Sequence, residues 1–275
     1  MTLDDLIAAK PVAEFEVSLS ESAIDQYRER GFTSIPRITT NEEVEWLRHV
    51  HDVLFAEGRH MRGGFISDVI NSIDRPRAAA QAQFIMPETR FGALKETAFW
   101  RNGRRLAAQL LAVAPQRLEG WGHMIRKPPQ GFDQVHWHQD EGYWDTEFDY
   151  TAVACWMPLD AATVESGCMR FIPGSHLGAI RRHHFLNDDP TGTSLVVDDV
   201  EEEMAVPAPI PVGGASFHHC RTLHASGPNT TDRVRRAHIC EWQLPPIRRT
   251  TPADRPWVAD GRRAKVALLS TPRKT

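Results

Sequence analysis

The sequence is short of the features that would place it in several large classes of protein. It has only four cysteines, Cys155, Cys168, Cys220 and Cys240, and none stands in a Cys-x-x-Cys pair. Zinc-ribbon and dithiol signatures are therefore absent. Cys155, Cys168 and Cys240 sit in apolar, strand-like runs, where cysteine behaves as a small buried hydrophobe, and a reducing cytosol is the expected setting. No apolar run reaches the length of about 20 residues that a membrane helix needs. The first residues, Met1-Thr2-Leu3-Asp4-Asp5, are acidic, so no signal peptide is expected. There is no internal repeat and no low-complexity tract. The net charge of −4 argues against a general nucleic-acid binder.

What is present fits a globular protein. With 275 residues, 41% apolar and 25% charged, the chain can bury a substantial core as one domain spanning 1–275. Its charge is uneven. Residues 244–275 hold eight Lys/Arg against two Asp/Glu, which leaves about −10 on the remainder. This basic tail is expected to be solvated or partly frayed.

Three regions differ in pattern. Residues from about 20 to 115 read as mostly helical. Ser20 caps a helix that Gly31 stops, and Phe32 to Ile35 is a short strand closed by Pro36. Thr40-Asn41-Glu42-Glu43 is a capping box with Glu43 reaching back. The helix it opens carries Val44, Leu47, Val50 and Leu54 and ends near Gly58. A further helical stretch covers Ala93 to Val113, with Gly103 as its dividing point. Arg59 to Arg90 reads as a long irregular segment of the kind that forms lids or binding loops. From about 117 to 243, short apolar segments recur between Gly/Pro turns: Trp121–Ile125, Gln134–Asp140, Thr151–Met157, Cys168–Ile172, Ala215–Cys220 and Ala237–Trp242. That spacing predicts a mainly β core with flanking helices, and a jelly roll is the natural solution.

The chemistry concentrates in Trp137-His138-Gln139-Asp140 and in the distant His224, Ser226 and Arg235. Residues i and i+2 of a strand share a face, so His138 and Asp140 are expected to point together, and His136 with them if the strand is regular that far. Gln139 and Trp137 then point away. Two imidazoles and one carboxylate, supplied by His138, His224 and Asp140, suit Fe(II) and leave positions open for oxygen and a cosubstrate. Arg235 offers a permanently charged fork for a carboxylate, with the Ser226 hydroxyl beside it. The cosubstrate that needs both a chelating 2-oxo acid end and a far carboxylate is 2-oxoglutarate.

An ordered series of motifs resembles the phytanoyl-CoA dioxygenase family of Fe(II)/2-oxoglutarate oxygenases. It runs through Gly31-Phe32, Lys127-Pro128-Pro129, Trp137-His138-Gln139-Asp140, Trp156, Ser166-Gly167-Cys168-Met169-Arg170-Phe171-Ile172-Pro173-Gly174-Ser175-His176, His224-Ala225-Ser226-Gly227-Pro228-Asn229 and Arg235. The resemblance covers about residues 20–243. It implies a double-stranded β-helix of the cupin-like type, with flanking helices. It also implies iron ligands at His138, Asp140 and His224, and 2-oxoglutarate contacts at Arg235 and Ser226. Trp156 matches an aromatic lining the cosubstrate pocket, and His123 or Lys127 stands where some relatives place a further contact. Fe(II), 2-oxoglutarate and O2 are thus the implied cofactor and cosubstrates, with hydroxylation of a small organic molecule as the outcome. Ala225 departs from the glycine of many relatives. Asp140 is retained where halogenating relatives have a small residue, which favours oxygenation.

A second reading takes His136, His138 and Glu141 with His218 or His219 as a cupin-type metal set, in a binding protein or isomerase. It leaves Arg235 without a role. Tyr143 and Trp144 follow the metal pair and are candidates for the substrate pocket. Arg181-Arg182-His183-His184 reads as a solvated loop, and Pro173-Gly174-Ser175-His176 as a turn. Arg59–Arg90 and Phe185–Glu203 are the segments expected to select the substrate. A small molecule is the expected partner, with no role for nucleic acid or membrane.

Overall fold

The computed structural model describes residues 2–58, 66–68, 82–131, 133–192 and 194–270. In chain order its helices are α1 (Leu3–Ala8), α2 (Glu21–Arg30), α3 (Asn41–Gly58), α4 (Pro87–Arg90), α5 (Ala98–Leu110) and α6 (Pro256–Ser270). The strands are β1 (Phe32–Ile35), β2 (Ile66–Asp68), β3 (Ala82–Ile85), β4 (Glu119–Lys127), β5 (Val135–His138), β6 (Phe148–Asp149), β7 (Ala152–Pro158) and β8 (Met169–Phe171). They continue with β9 (His184–Phe185), β10 (Leu195–Val196), β11 (Val206–Ala208), β12 (Ala215–His219), β13 (His224–Ser226), β14 (Arg235–Gln243) and β15 (Ile247–Arg248).

Two antiparallel sheets face each other. The larger has the order β1-β12-β7-β14-β4-β3-β2 and the smaller β11-β8-β13-β5. Along β14, Ala237 and Ile239 join the cluster between the sheets, while Cys240 and Trp242 face outward. This alternation follows from the two-residue period of a strand. Phe32 of the large sheet stacks on Phe171 of the small one, with ring centroids 4.5 Å apart. β7 is buried at every position, as a strand covered on both faces must be, and this accounts for its unbroken apolar run.

The outer face of the large sheet is sealed by α2, α3 and α5. Trp100 meets Trp242 edge-on at 5.0 Å. Gly103 lies against the same indole, where a Cβ would stand 3.1 Å from its nitrogen. Gly103 is therefore a close-approach position inside one continuous helix and does not divide it. The division falls at Thr97, which caps α5 through its hydroxyl and follows a 3-10 turn over Gly92–Glu96.

The caps of α2 match the sequence reading: the Ser20 hydroxyl accepts from Ala23 N, and Gly31 ends the helix at φ +84°. The Thr40 box forms only in part. Thr40 accepts from Glu43 N at 3.2 Å, but the Glu43 carboxylate turns to Ala98 N (2.7 Å) and Phe99 N (2.8 Å). A negative charge at the first turn of α5 is favourable, and it ties α3 to α5.

Two further expectations are corrected. Arg59–Arg90 is not irregular throughout: β2 and β3 pair and extend the large sheet beyond β4, while 59–65 and 69–81 lie outside the described residues. The basic tail is not simply solvated. Arg249, Arg255 and Trp257 dock on the β core, Trp257 from the first turn of α6. Among the described residues no helix is long and apolar enough to cross a membrane, and all four cysteines are free and buried.

Candidate metal centre

β5 and β13 lie side by side in the small sheet, with His138 directly opposite His224. Their rings are 4.2 Å apart. β5 ends at His138, and Asp140 opens a 3-10 turn over Asp140–Tyr143. Gln139 between them is extended (φ −120°, ψ 133°), so the carboxylate lies on the same side as His138, although it opens a turn. Ligand atoms of His138, Asp140 and His224 all lie within 4.8 Å of one another.

The donor set fits a divalent metal in its protonation state as well as its composition. His138 Nδ1 donates to the His136 carbonyl at 2.7 Å, and His224 Nδ1 to the Thr222 carbonyl at 2.9 Å. Each backbone acceptor fixes the tautomer and leaves the Nε2 lone pair free. Those Nε2 atoms stand 3.7 and 3.5 Å from Asp140 Oδ1. Burial pushes both imidazoles below their usual range and so keeps them neutral. Burial works against the charge on Asp140, but His224, His218 and His138 outweigh it and hold the carboxyl below its ordinary range. His218 Nε2 holds the other oxygen, Oδ2, at 3.1 Å. Asp140 therefore presents one oxygen to the metal position while His218 steadies the other.

At one end of the same interior, Arg235 is buried with its guanidinium over the Trp156 ring at 5.2 Å. Among the described residues its hydrogen bonds are long ones, 3.4 Å to the Ser166 and Gly167 carbonyls, and Nη1 has no partner. Burial lowers its pKa to about 10, so it remains cationic at neutral pH. A buried cation with no carboxylate in contact suits a ligand's carboxylate. Ser226 is buried two residues from His224 on β13, so the two side chains share a face. Lys127 pairs with Arg235 in register, but its ammonium goes to the carbonyls of Ser226, Gly227 and Asp133. His123 faces the interior, where Asp140, His218 and His138 act on it electrostatically, and its Nδ1 has no partner.

Other expectations divide. Tyr143 stands edge-on to His138 at 5.7 Å and accepts from Leu195 N, whereas Trp144 packs on Tyr150 away from the histidines. The cupin-type set does not assemble. Glu141 is held by arginines, and His219 turns toward Tyr27 and His176. His136 contributes only its carbonyl, and His218 touches Asp140 without joining the triad. Arg181–His184 is no merely solvated loop: His183 is buried and accepts from Gln139 N at 3.1 Å.

The structure adds residues that sequence reasoning missed. Glu141 is fully buried and receives Arg221 Nε and Arg255 Nη2, each at 2.6 Å. Arg255 also donates to the Glu141 carbonyl, and Trp257 donates to the Gly142 carbonyl at 2.9 Å. The turn carrying Asp140 is thus gripped from behind by the C-terminal segment. A tryptophan within an otherwise basic tail was the readable sign of that docking.

A double-stranded β-helix holding two histidines and one aspartate at its core, with a buried arginine nearby, defines the class of Fe(II)/2-oxoglutarate oxygenases. The family model described as Phytanoyl-CoA dioxygenase (PhyH) matches residues 27–237, and the chain belongs to that family. Among solved structures, it is similar to EvdO2 from Micromonospora carbonacea var. aurantiaca complexed with 2-oxoglutarate. The identity is 32% and the TM-score 0.76, with 89% of this chain and 98% of that chain covered. It is 35% identical over 126 residues to phytanoyl-CoA dioxygenase domain-containing protein 1 of Danio rerio, covering 42% of this chain and 43% of that protein. A probable alpha-ketoglutarate-dependent hypophosphite dioxygenase of Stutzerimonas stutzeri is 33% identical over 118 residues, covering 40% and 39%. The match thus spans less than half the length of these two curated relatives.

Proposed function

We propose that the protein is an Fe(II)- and 2-oxoglutarate-dependent dioxygenase that hydroxylates an unactivated C–H bond of a small organic molecule. The observation that carries this reading is the pairing of a neutral His138–His224 couple and the ionised Asp140 with a buried, unpaired Arg235 in one interior. His138, Asp140 and His224 would hold the iron. Bound iron supplies the redox chemistry by which O2 and 2-oxoglutarate yield succinate, CO2 and one oxygen atom for the substrate C–H bond. Arg235 and Ser226 bind the far carboxylate of 2-oxoglutarate, and Trp156 forms the wall beneath the guanidinium. His218 keeps Asp140 oriented by holding Oδ2. His123, with its free Nδ1, is the better candidate than Lys127 for a further contact, because Lys127 is occupied by carbonyls. Tyr143 borders the space in front of His138.

The test is release of succinate and CO2 from 2-oxoglutarate by protein supplied with Fe(II), ascorbate and O2, first without a substrate and then across a substrate panel. Slow basal turnover, accelerated by one class of small molecule, is the expected result. Absence of both 2-oxoglutarate binding and turnover overturns the reading.

A further inference from the structure

The inner face of β14 does not end at the cosubstrate. Arg235, Ala237, Ile239 and Glu241 share that face, since Cys240 and Trp242 lie in the outer cluster. Register sets Trp121 opposite Glu241 and His123 opposite Ile239 on β4. On the other side, Glu241 pairs with Ala154 of β7, and Ala154 pairs with His218 of β12. Glu241 and His218 therefore stand in one row across the sheet with a single strand between them, about 10 Å apart. The residue between them is an alanine, so the floor of that row is a methyl group. Trp121, His123 and Ile125 keep partial exposure although β4 lies between two other strands. The row thus borders a hollow beside Asp140.

The polar atoms facing this hollow are open. Glu241 is 3% exposed, and its Oε2 has no hydrogen-bond partner among the described residues. His123 Nδ1 and His218 Nδ1 are likewise buried and unpartnered. Burial raises the Glu241 carboxyl far above its ordinary range, and the charge of Asp140 raises it further. A buried acid without a cation or donor is costly to the fold. A buried polar group left unsatisfied calls for a partner or a role.

We propose that this hollow is the substrate site, and that Glu241 binds a hydrogen-bond-donating group of the substrate, a hydroxyl or an ammonium, beside the flat face of Trp121. This rests on the oxygenase reading of the centre. A protonated carboxyl both accepts from and donates to a hydroxyl, and an ammonium ionises it and pairs with it. An acid with no arginine or lysine acting on it disfavours a carboxylate or phosphate at this position. The substrate's polar group then fixes which C–H bond lies over the metal position.

The experiment uses the full chain with Zn(II) in place of iron and 2-oxoglutarate present, so that nothing turns over. Ligand-observed NMR titrations compare methyl glycosides, primary alkylamines and alkyl carboxylates against wild type, Glu241→Leu and Glu241→Gln. The expected result is binding of glycosides or amines that weakens at least tenfold in Glu241→Leu, with 2-oxoglutarate affinity unchanged. Whether the glycoside or the amine arm responds identifies the donor. Glu241→Leu should also raise Tm by roughly 2–4 °C, because an unpaired buried acid has been removed. Glu241→Gln keeps the binding test in place if the leucine variant folds poorly. Preferential binding of carboxylates, or binding indifferent to residue 241, overturns the proposal, as does a fall in Tm for both variants. Retained 2-oxoglutarate binding in those cases separates its failure from failure of the oxygenase reading.

Discussion

Asp140 and Glu141 adjoin in sequence and carry the same functional group, yet the two sides of their turn are built for opposite purposes. On the inner side, Asp140 meets three imidazoles and no arginine or lysine. On the outer side, Glu141 is surrounded by Arg221, Arg249 and Arg255. A carboxylate already paired with guanidinium has its charge balanced and its lone pairs occupied, so it holds structure. A carboxylate with no guanidinium or ammonium beside it keeps a lone pair for a metal. The same contrast separates two buried arginines: Arg255 is paired with Glu141, whereas Arg235 lies over the Trp156 ring and, among the described residues, meets no carboxylate, only two distant carbonyls.

The strongest test of the contrast is Asp140→Ala, which should weaken metal binding at least 100-fold, roughly 3 kcal/mol or more, measured by Co(II) or Fe(II) titration. The thermal midpoint of the metal-free protein should hardly move. Large destabilisation of the metal-free form would mean that Asp140 is structural after all. Arg255→Ala should behave in reverse and lose about 3–5 kcal/mol of stability in denaturant unfolding, because it leaves the Glu141 acid short of a buried partner. Metal affinity should fall less than in Asp140→Ala. Arg235→Ala should raise the 2-oxoglutarate requirement about 30-fold or more, a cost of roughly 2 kcal/mol or above, without lowering Tm. An unchanged cosubstrate affinity would remove Arg235 from its assigned role.

The smallest effect concerns pH on the outer side of the turn. Burial lowers the His183 pKa to about 4, while the unfolded chain titrates near 6.5. The folded state thus prefers neutral His183, whose Nε2 accepts from Gln139 N. Its contribution is complete above pH 6.5 and is lost as pH falls from there toward 4, amounting to about 2 kcal/mol by pH 5. His183→Gln should flatten the decline in stability between pH 7 and 5. An unchanged slope would show that other buried histidines carry the acid sensitivity.

Much of the centre was legible because its signals are local or composed of rare residue types. His138-x-Asp140 is a pair at short spacing, and His224, Ser226 and Arg235 follow one another closely. The reading of one shared face for the pair holds because Gln139 is extended, although β5 stops at His138 and Asp140 opens a turn. Glu43 shows where local reading stops. Its sequence neighbour Thr40 suggested a local cap, while the stronger partners were two amides of α5. Glu241 was readable in principle, as an acid inside the apolar run Ala237–Trp242, but only register reveals that it shares a row with His218.

The sequence by itself determined the class of chemistry and the alternating strands that build the barrel. Both depend on residue type and on a period of two, which a linear chain displays. Only the tertiary structure decided which of two adjacent carboxylates faces the metal position, which arginine remains unpaired, and that the basic tail grips the ligand turn. Those outcomes depend on partners 80 to 114 residues away in the chain, and pairing over such separations is settled by packing, burial and register.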